Sequence, residues 1–255
     1  MSAVLKASDQ AAAILSVKGV GKHFGAFVAL NDVSVDFPAG QLTAIIGPNG
    51  AGKSTFFNVI SGAFAPSSGR VVFEGRDVTG LRQHEFARIG IAKSFQITNL
   101  FRQLSVRENV RVAAQMRRSR FQIFKPRSAY PELLDKADAL LQRVGLVDVG
   151  DKLAADLAHG QQRALEIAMA LAAEPRLLLM DEPTAGMSPE ETSVMMGLIT
   201  RIAEERTVVL VEHKMKLVMG ICQRLIVLHH GELLAEGTPD EIRNHPEVKR
   251  VYLGQ

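Results

Sequence analysis

The stretch Gly47-Pro48-Asn49-Gly50-Ala51-Gly52-Lys53-Ser54 constrains the fold of this chain more than any other. It satisfies G-x-x-x-x-G-K-[S/T], follows the apolar, β-branched run Leu42–Ile46, and precedes a helix expected over Lys53–Ile60. Glycines at these places let the backbone take positive φ and come close to a phosphate, so that successive N–H groups and a helix dipole face one anion. Lys53 adds a point charge for the β- and γ-phosphates of a nucleotide, and Ser54 offers a hydroxyl to a bridging Mg2+. With Thr55 next in line, residues 47–55 form the expected phosphate-binding run.

Far downstream, Leu177-Leu178-Leu179-Met180-Asp181-Glu182-Pro183 reads as a buried strand that ends in two carboxylates, with Pro183 stopping it. Strands often end in acidic residues, so the run is weak alone. Beside a phosphate loop it supplies what that loop lacks: Asp181 for the Mg2+ shell and Glu182 for the attacking water.

Strands are expected near Ile14–Val20, Ala29–Phe37, Leu42–Ile46, Arg70–Phe73 and Ile91–Phe95. The pattern then turns helical, with amphipathic stretches at Val106–Met116, Pro131–Val144 and Gln161–Ala172. Strand and helix alternate again through Arg176–Met180, Pro189–Glu205, Thr207–Val211, Arg224–Leu228 and Glu232–Ala235. That alternation implies a mostly parallel core sheet of the α/β class. The expected organisation is one domain over 14–255, a helical subdomain inserted at about 102–173, and a loose segment over 1–13.

The 255 residues are 47% hydrophobic and 22% charged, enough for a large core. A net charge of +3 is too balanced to argue for nucleic acid through bulk electrostatics. No run of about eighteen apolar residues appears, and residues 1–20 lack a basic region followed by an apolar one, so neither secretion nor a membrane span is expected. The single cysteine, Cys222, excludes an internal disulfide and reads as a buried apolar thiol. The run Arg117, Arg118, Arg120, Lys125 and Arg127, interleaved with Phe121 and Phe124, reads first as a solvated loop, second as a membrane or permease contact, and last as a nucleic-acid contact.

With these motifs in place the chain resembles the ATPases of ABC transporters, from about Ile14 to its end. The resemblance implies an N-terminal antiparallel β part beside a phosphate-loop core, with ATP and Mg2+ as cofactors. It gives Phe24, in Lys22-His23-Phe24-Gly25, the role of stacking on adenine. Gln96, in Ser94-Phe95-Gln96, becomes the glutamine near Mg2+ and the water that also links to the permease. Leu157-Ala158-His159-Gly160-Gln161-Gln162-Arg163 occupies the place of the signature Leu-Ser-Gly-Gly-Gln, which covers the γ-phosphate of ATP held by the other subunit. Here Ala158 and His159 replace the usual Ser and Gly, while Gly160 and Gln161 keep the backbone approach. His213, in Val211-Glu212-His213, resembles the switch histidine at the γ-phosphate, and Ser188 stands where the family's intersubunit loop usually has Asp.

Several stretches are similar to the ATPases of branched-chain amino-acid importers, namely Ser94–Phe101, Thr184–Thr192, Val211–Gly220 and the closing Gly231–Gln255, and the basic insertion near Arg117–Pro131 resembles the longer of the two ATPases that such importers carry. Relatives that move amides or urea, and a lipopolysaccharide-export ATPase with the same Val-Lys-Arg-Val-Tyr-Leu-Gly ending, keep lipid export as the alternative. The implied partners are a homologous second ATPase subunit or a second copy, two permease subunits met through Leu100, Phe101 and Leu104, and indirectly a solute-binding protein. The implied place is peripheral, on the cytoplasmic face of the inner membrane. A chromosome-structure ATPase would need a long coiled coil between Gln96 and Leu157, and a translation-associated one a second phosphate loop; neither is present.

Overall fold

The computed structural model describes residues 12–94, 100–115 and 131–253. Strands β1 (Ala13–Phe24) and β2 (Phe27–Pro38) form an antiparallel hairpin whose inward residues, among them Leu15, Val17, Leu30 and Phe37, are buried. Strand β3 (Leu42–Ile46) is buried at every residue, as a strand covered on both faces must be. Helix α1 (Lys53–Ile60), β4 (Ser68–Phe73), β5 (Arg76–Asp77), α2 (Gln83–Ile89) and β6 (Ile91–Ser94) follow. Helices α3 (Val106–Gln115), α4 (Pro131–Val144) and α5 (His159–Ala172) then pack on one another. The chain returns to alternation with β7 (Leu177–Asp181), α6 (Pro189–Ala203), β8 (Thr207–Val211), α7 (Met215–Ile221), β9 (Arg224–His229) and β10 (Glu232–Gly237), and ends in α8 (Pro239–Asn244) and α9 (Pro246–Leu253).

Among the described residues the strands form two sheets. The smaller is antiparallel, in the order β2-β1-β4-β5. The larger runs β10-β9-β3-β8-β7-β6, parallel except for β10 at its edge. Because side chains alternate across a strand, the larger sheet feeds two cores. Leu177, Leu179, Val209 and Val211 share one with Phe56 and Phe57 of α1 and Phe37 of β2. Leu178, Met180, Val208 and Leu210 share the other with Leu141 of α4, Leu165 of α5 and Ile199 of α6. Phe56 and Phe57 are both 0% exposed, and burial of each is worth about 1.5–3 kcal/mol. The start of α1 therefore rests on a rigid layer.

The parallel register decides where the chemistry lies. Ile45 of β3 and Asp181 of β7 both pair with Val211 of β8, so the C-terminal ends of these strands lie side by side. Residues that leave them emerge along one edge of the sheet, where open α/β sheets place their ligands.

Helices α1 and α4 and strand β8 have the bounds expected from sequence. The strand expected over Ile91–Phe95 is described over Ile91–Ser94, and Phe95 lies outside the described residues. Helices α2, α7, α8 and α9 had no counterpart in the sequence reading. They are too short for an amphipathic period to repeat. Cys222 is buried, and burial pushes its thiol up to about 12, as suits an inert core residue. No helix among the described residues is long and apolar enough to cross a membrane.

Candidate active site

The phosphate loop leaves β3 at a place that only glycine fits. A Cβ on Gly47 would lie 2.3 Å from the Leu228 carbonyl oxygen of neighbouring β9. Gly52 caps α1 with φ at 95°, and a Cβ there would lie 2.8 Å from the Ala29 carbonyl oxygen. No side chain caps this helix and no acidic residue stands in its first turn, so its leading N–H groups keep their capacity for an anion. Ser54 is exposed in the first turn and Thr55 half-buried.

Lys53 is only 8% exposed. Its ammonium donates to the carbonyls of Gly47 at 2.7 Å and Pro48 at 2.8 Å, which folds the loop around the cation. Burial pushes Lys53 below the ordinary lysine range, and the nearby Glu182 charge opposes that shift. The charge of Glu182, expected at the attacking water, thus acts on Lys53, expected at the phosphates.

Glu182 follows β7 in a left-handed conformation, φ 44°, and its N–H donates to the Val211 carbonyl of β8 at 3.0 Å. A non-glycine residue held there stores strain on the order of 1–3 kcal/mol, and the tie to β8 is what fixes it. His213 Nδ1 lies 3.9 Å from Glu182 Oε1, with both side chains partly exposed. Asp181 is 6% exposed, and burial pushes its carboxyl above the usual carboxylate range. The Lys93 cation pulls it back, Glu182 adds to the rise, and Arg163 lowers it. Lys53, Asp181, Glu182 and His213, taken separately from sequence, are brought together at one sheet edge.

The other expected residues that are described stand on other elements. Phe24 ends β1, is 45% exposed, and meets Phe64 edge to face at 5.6 Å, with the Lys22 ammonium 5.1 Å from its ring centre. Ala158 caps α5, where its N–H donates to Gln161 Oε1 at 3.1 Å. The neighbours of His159 and Gly160 are Gly186 and Glu191, beside the start of α6. Gln96 and the basic run Arg117–Arg127 lie outside the described residues. Ser188, expected only as a departure from the family's Asp, is the N-cap of α6, where its hydroxyl accepts the Glu191 N–H at 3.2 Å.

Sequence reasoning passed over Lys93, Phe64, Thr184 and Glu212. A lysine inside the expected strand Ile91–Phe95 is the signal for Lys93; its ammonium donates to Asn58 of α1 at 2.8 Å, and its charge acts on Asp181.

An uncapped helix start beneath a glycine loop, a lysine folded into that loop, and two carboxylates with a histidine at the adjoining strand ends define a phosphate-loop nucleotide hydrolase. The ABC transporter family model matches residues 30–185, and a model described as branched-chain amino acid ATP-binding cassette transporter matches residues 232–255. The chain is 41% identical over 250 residues to the high-affinity branched-chain amino acid transport ATP-binding protein LivG of Salmonella typhimurium, covering 95% of this chain and 98% of LivG. It is 32% identical to the lipopolysaccharide export system ATP-binding protein LptB of Haemophilus influenzae, with 95% and 98% covered. Among solved structures, a nucleotide-free ATP-binding cassette from an ABC transporter superposes with a TM-score of 0.84 at 32% identity, covering 96% of this chain and 100% of that one. A dimeric ATP-binding cassette bound to ADP and Pi superposes with a TM-score of 0.74 at 28% identity, covering 88% and 98%. The chain belongs to the ABC transporter family, as an ATP-binding cassette that hydrolyses ATP.

Proposed function

We propose that this chain is the ATPase subunit that drives uptake of branched-chain amino acids through a membrane permease. The observation that carries the hydrolytic reading is the meeting of Lys53, Glu182 and His213 at the ends of adjacent parallel strands. ATP places its phosphates over the uncapped start of α1, and the Lys53 ammonium passes from the Gly47 and Pro48 carbonyls to phosphate oxygens. Glu182 orients and polarises the attacking water, and His213 contacts the γ-phosphate.

The residues present suit Mg2+. Ser54 and Asp181 offer a hydroxyl and a carboxylate, the hard oxygen donors that Mg2+ prefers. Among the described residues no group of three or more acidic, His or Cys side chains could hold a metal, and Mg2+ carried on one or two protein oxygens plus nucleotide phosphates requires none. When bound, it would neutralise phosphate charge, with Gln96 as a further contact. The start of α5, Ala158–Gln161, serves ATP held by a second ATPase subunit, and Phe24 stacks on adenine.

The matched C-terminal segment, and the greater likeness to LivG than to LptB, support the choice of solute. Cells lacking this chain are expected to lose most uptake of labelled leucine, isoleucine and valine and to regain it with the wild-type gene. Unchanged uptake of all three alongside a defect in envelope lipid export would move the assignment to the lipid exporters.

Permease docking is proposed at Phe101 and Leu104, 50% and 37% exposed, beside Leu153 at 45%. Buried Asn109 holds the turn that displays them: its Oδ1 accepts the Phe101 N–H at 2.8 Å, and its amide donates to the Phe101 and Ser105 carbonyls at 3.1 and 2.9 Å. Leu100, expected from sequence at the same contact, belongs to the core at 9% exposure, because the turn faces Phe101 outward and Leu100 inward. Phe101→Asp is therefore expected to release the subunit from membranes while ATP binding persists, as read by membrane flotation beside nucleotide binding. Retention on membranes would reject the contact.

A further inference from the structure

Glu212 is a carboxylic residue at 0% exposure, at the join between β8 and His213. Each side of it meets a different part of the site. Its Oε1 accepts the Thr184 hydroxyl at 2.5 Å and the Thr184 N–H at 3.3 Å. Its Oε2 accepts the His213 N–H at 3.2 Å. Its own N–H donates to the Ile45 carbonyl at 3.3 Å, on the strand that feeds the phosphate loop. Thr184 is itself 0% exposed and shares its loop with Glu182.

Burying a carboxyl group costs several kcal/mol unless donors surround it, and a valine or leucine would fill this place without that cost. The donors here are the segments that carry Glu182 and His213. Among the described residues, the other hydrogen bond that joins the loop leaving β7 to the end of β8 is Glu182 N–H to the Val211 carbonyl, which fixes the backbone of Glu182 but not of His213.

We propose that Glu212 is a positioning residue for hydrolysis: its two oxygens clamp the Thr184 loop to the His213 loop, so that Glu182 and His213 keep the 3.9 Å spacing in which they act. The inference rests on the roles given above to Glu182 and His213. Neither Thr184 nor Glu212 touches ATP in this account. Their effect falls on turnover, not on nucleotide affinity.

The test is steady-state phosphate release by the full chain, beside the affinity for a fluorescent ATP analogue. Glu212→Gln keeps the volume but turns an NH2 group toward donors on one side. Turnover at saturating ATP should fall about tenfold, the scale of one lost buried hydrogen bond, while affinity stays within about twofold. Thr184→Val, which keeps the shape and removes the hydroxyl, should produce a similar fall, and Thr184→Ser should recover most of it. The double variant Thr184→Val with Glu212→Gln should be no slower than the slower single one, because both break one clamp. If Glu212→Gln misfolds, the contrast between Thr184→Val and Thr184→Ser still decides the matter. Wild-type turnover in Glu212→Gln, an equal fall in turnover and affinity, or losses that multiply in the double variant would overturn the proposal. With Lys53→Ala silent in the same assay, such a result rejects the clamp alone; turnover that survives both changes rejects the nucleotide assignment with it.

Discussion

Glu182→Gln is expected to bind ATP as well as the wild type and to hydrolyse it some 10²–10⁴-fold more slowly, the range over which a positioned general base contributes. The substitution keeps the side chain's shape at a site where the backbone is held by the Val211 carbonyl, so the loop should not move. It removes a negative charge that acts on two neighbours. Asp181 sits above the usual carboxylate range partly because Glu182 is close, and without that repulsion it shifts down and becomes a better anion for a cation on the phosphates. Lys53 loses the one charge that raised it and keeps the burial that lowers it, an opposing change of smaller consequence once phosphates surround the ammonium. Binding is preserved while water activation is lost. A closed, ATP-loaded dimer should therefore accumulate, visible as an earlier peak in size-exclusion chromatography with ATP and Mg2+. Turnover near the wild-type rate would remove Glu182 from its role, and slow turnover without the longer-lived dimer would reject the two-subunit closure for this chain.

The phosphate loop was legible in sequence because its chemistry leaves little choice: Gly47 and Gly52 stand where a Cβ would strike backbone oxygen. β3, β7 and β8 were legible because strands buried on both faces are unbroken apolar runs. Their adjacency follows from the order in which parallel strands assemble, which no single run records. Glu212 was invisible for the same reason. Its partner Thr184 lies 28 positions away, and Val211-Glu212-His213 reads like any strand ending in a polar pair. Leu100 was misplaced because Leu100 and Phe101 are both apolar and only the Asn109 hydrogen bonds decide which turns outward. Two helix starts, that of α6, expected at Pro189, and that of α8, not expected, carry a further signal in the sequence. Ser188-Pro189-Glu190-Glu191 and Thr238-Pro239-Asp240-Glu241 are both capping boxes with proline at the first helical turn, and they begin α6 and α8.

Lys53→Ala should abolish measurable hydrolysis and weaken ATP binding while the protein stays folded. Two functions are removed together. In the structure the ammonium braces the Gly47 and Pro48 carbonyls, and with ATP bound it would meet phosphate oxygens. Hydrogen bonds to a charged group are worth about 1.5–3 kcal/mol each, so losing the phosphate contact alone should weaken binding roughly 10–100-fold. The fold should tolerate the change. α1 is held by Phe56, Phe57, Val59 and Ile60 against the core, and the Gly52 carbonyl still accepts the Phe56 N–H at 2.8 Å. Alanine also raises intrinsic helix propensity at the first turn. Lys53→Arg separates the two functions: it keeps the charge, but its planar fork does not fit a pocket shaped by two carbonyls around a compact ammonium, so it should bind ATP better than Lys53→Ala and still turn over poorly. The measurements are circular dichroism, nucleotide affinity and phosphate release on the three proteins. A Lys53→Ala protein that hydrolyses ATP at the wild-type rate would place the phosphates somewhere other than residues 47–55, and one that loses its circular dichroism signal would show that the carbonyl brace, not the phosphate charge, is the main work of this lysine.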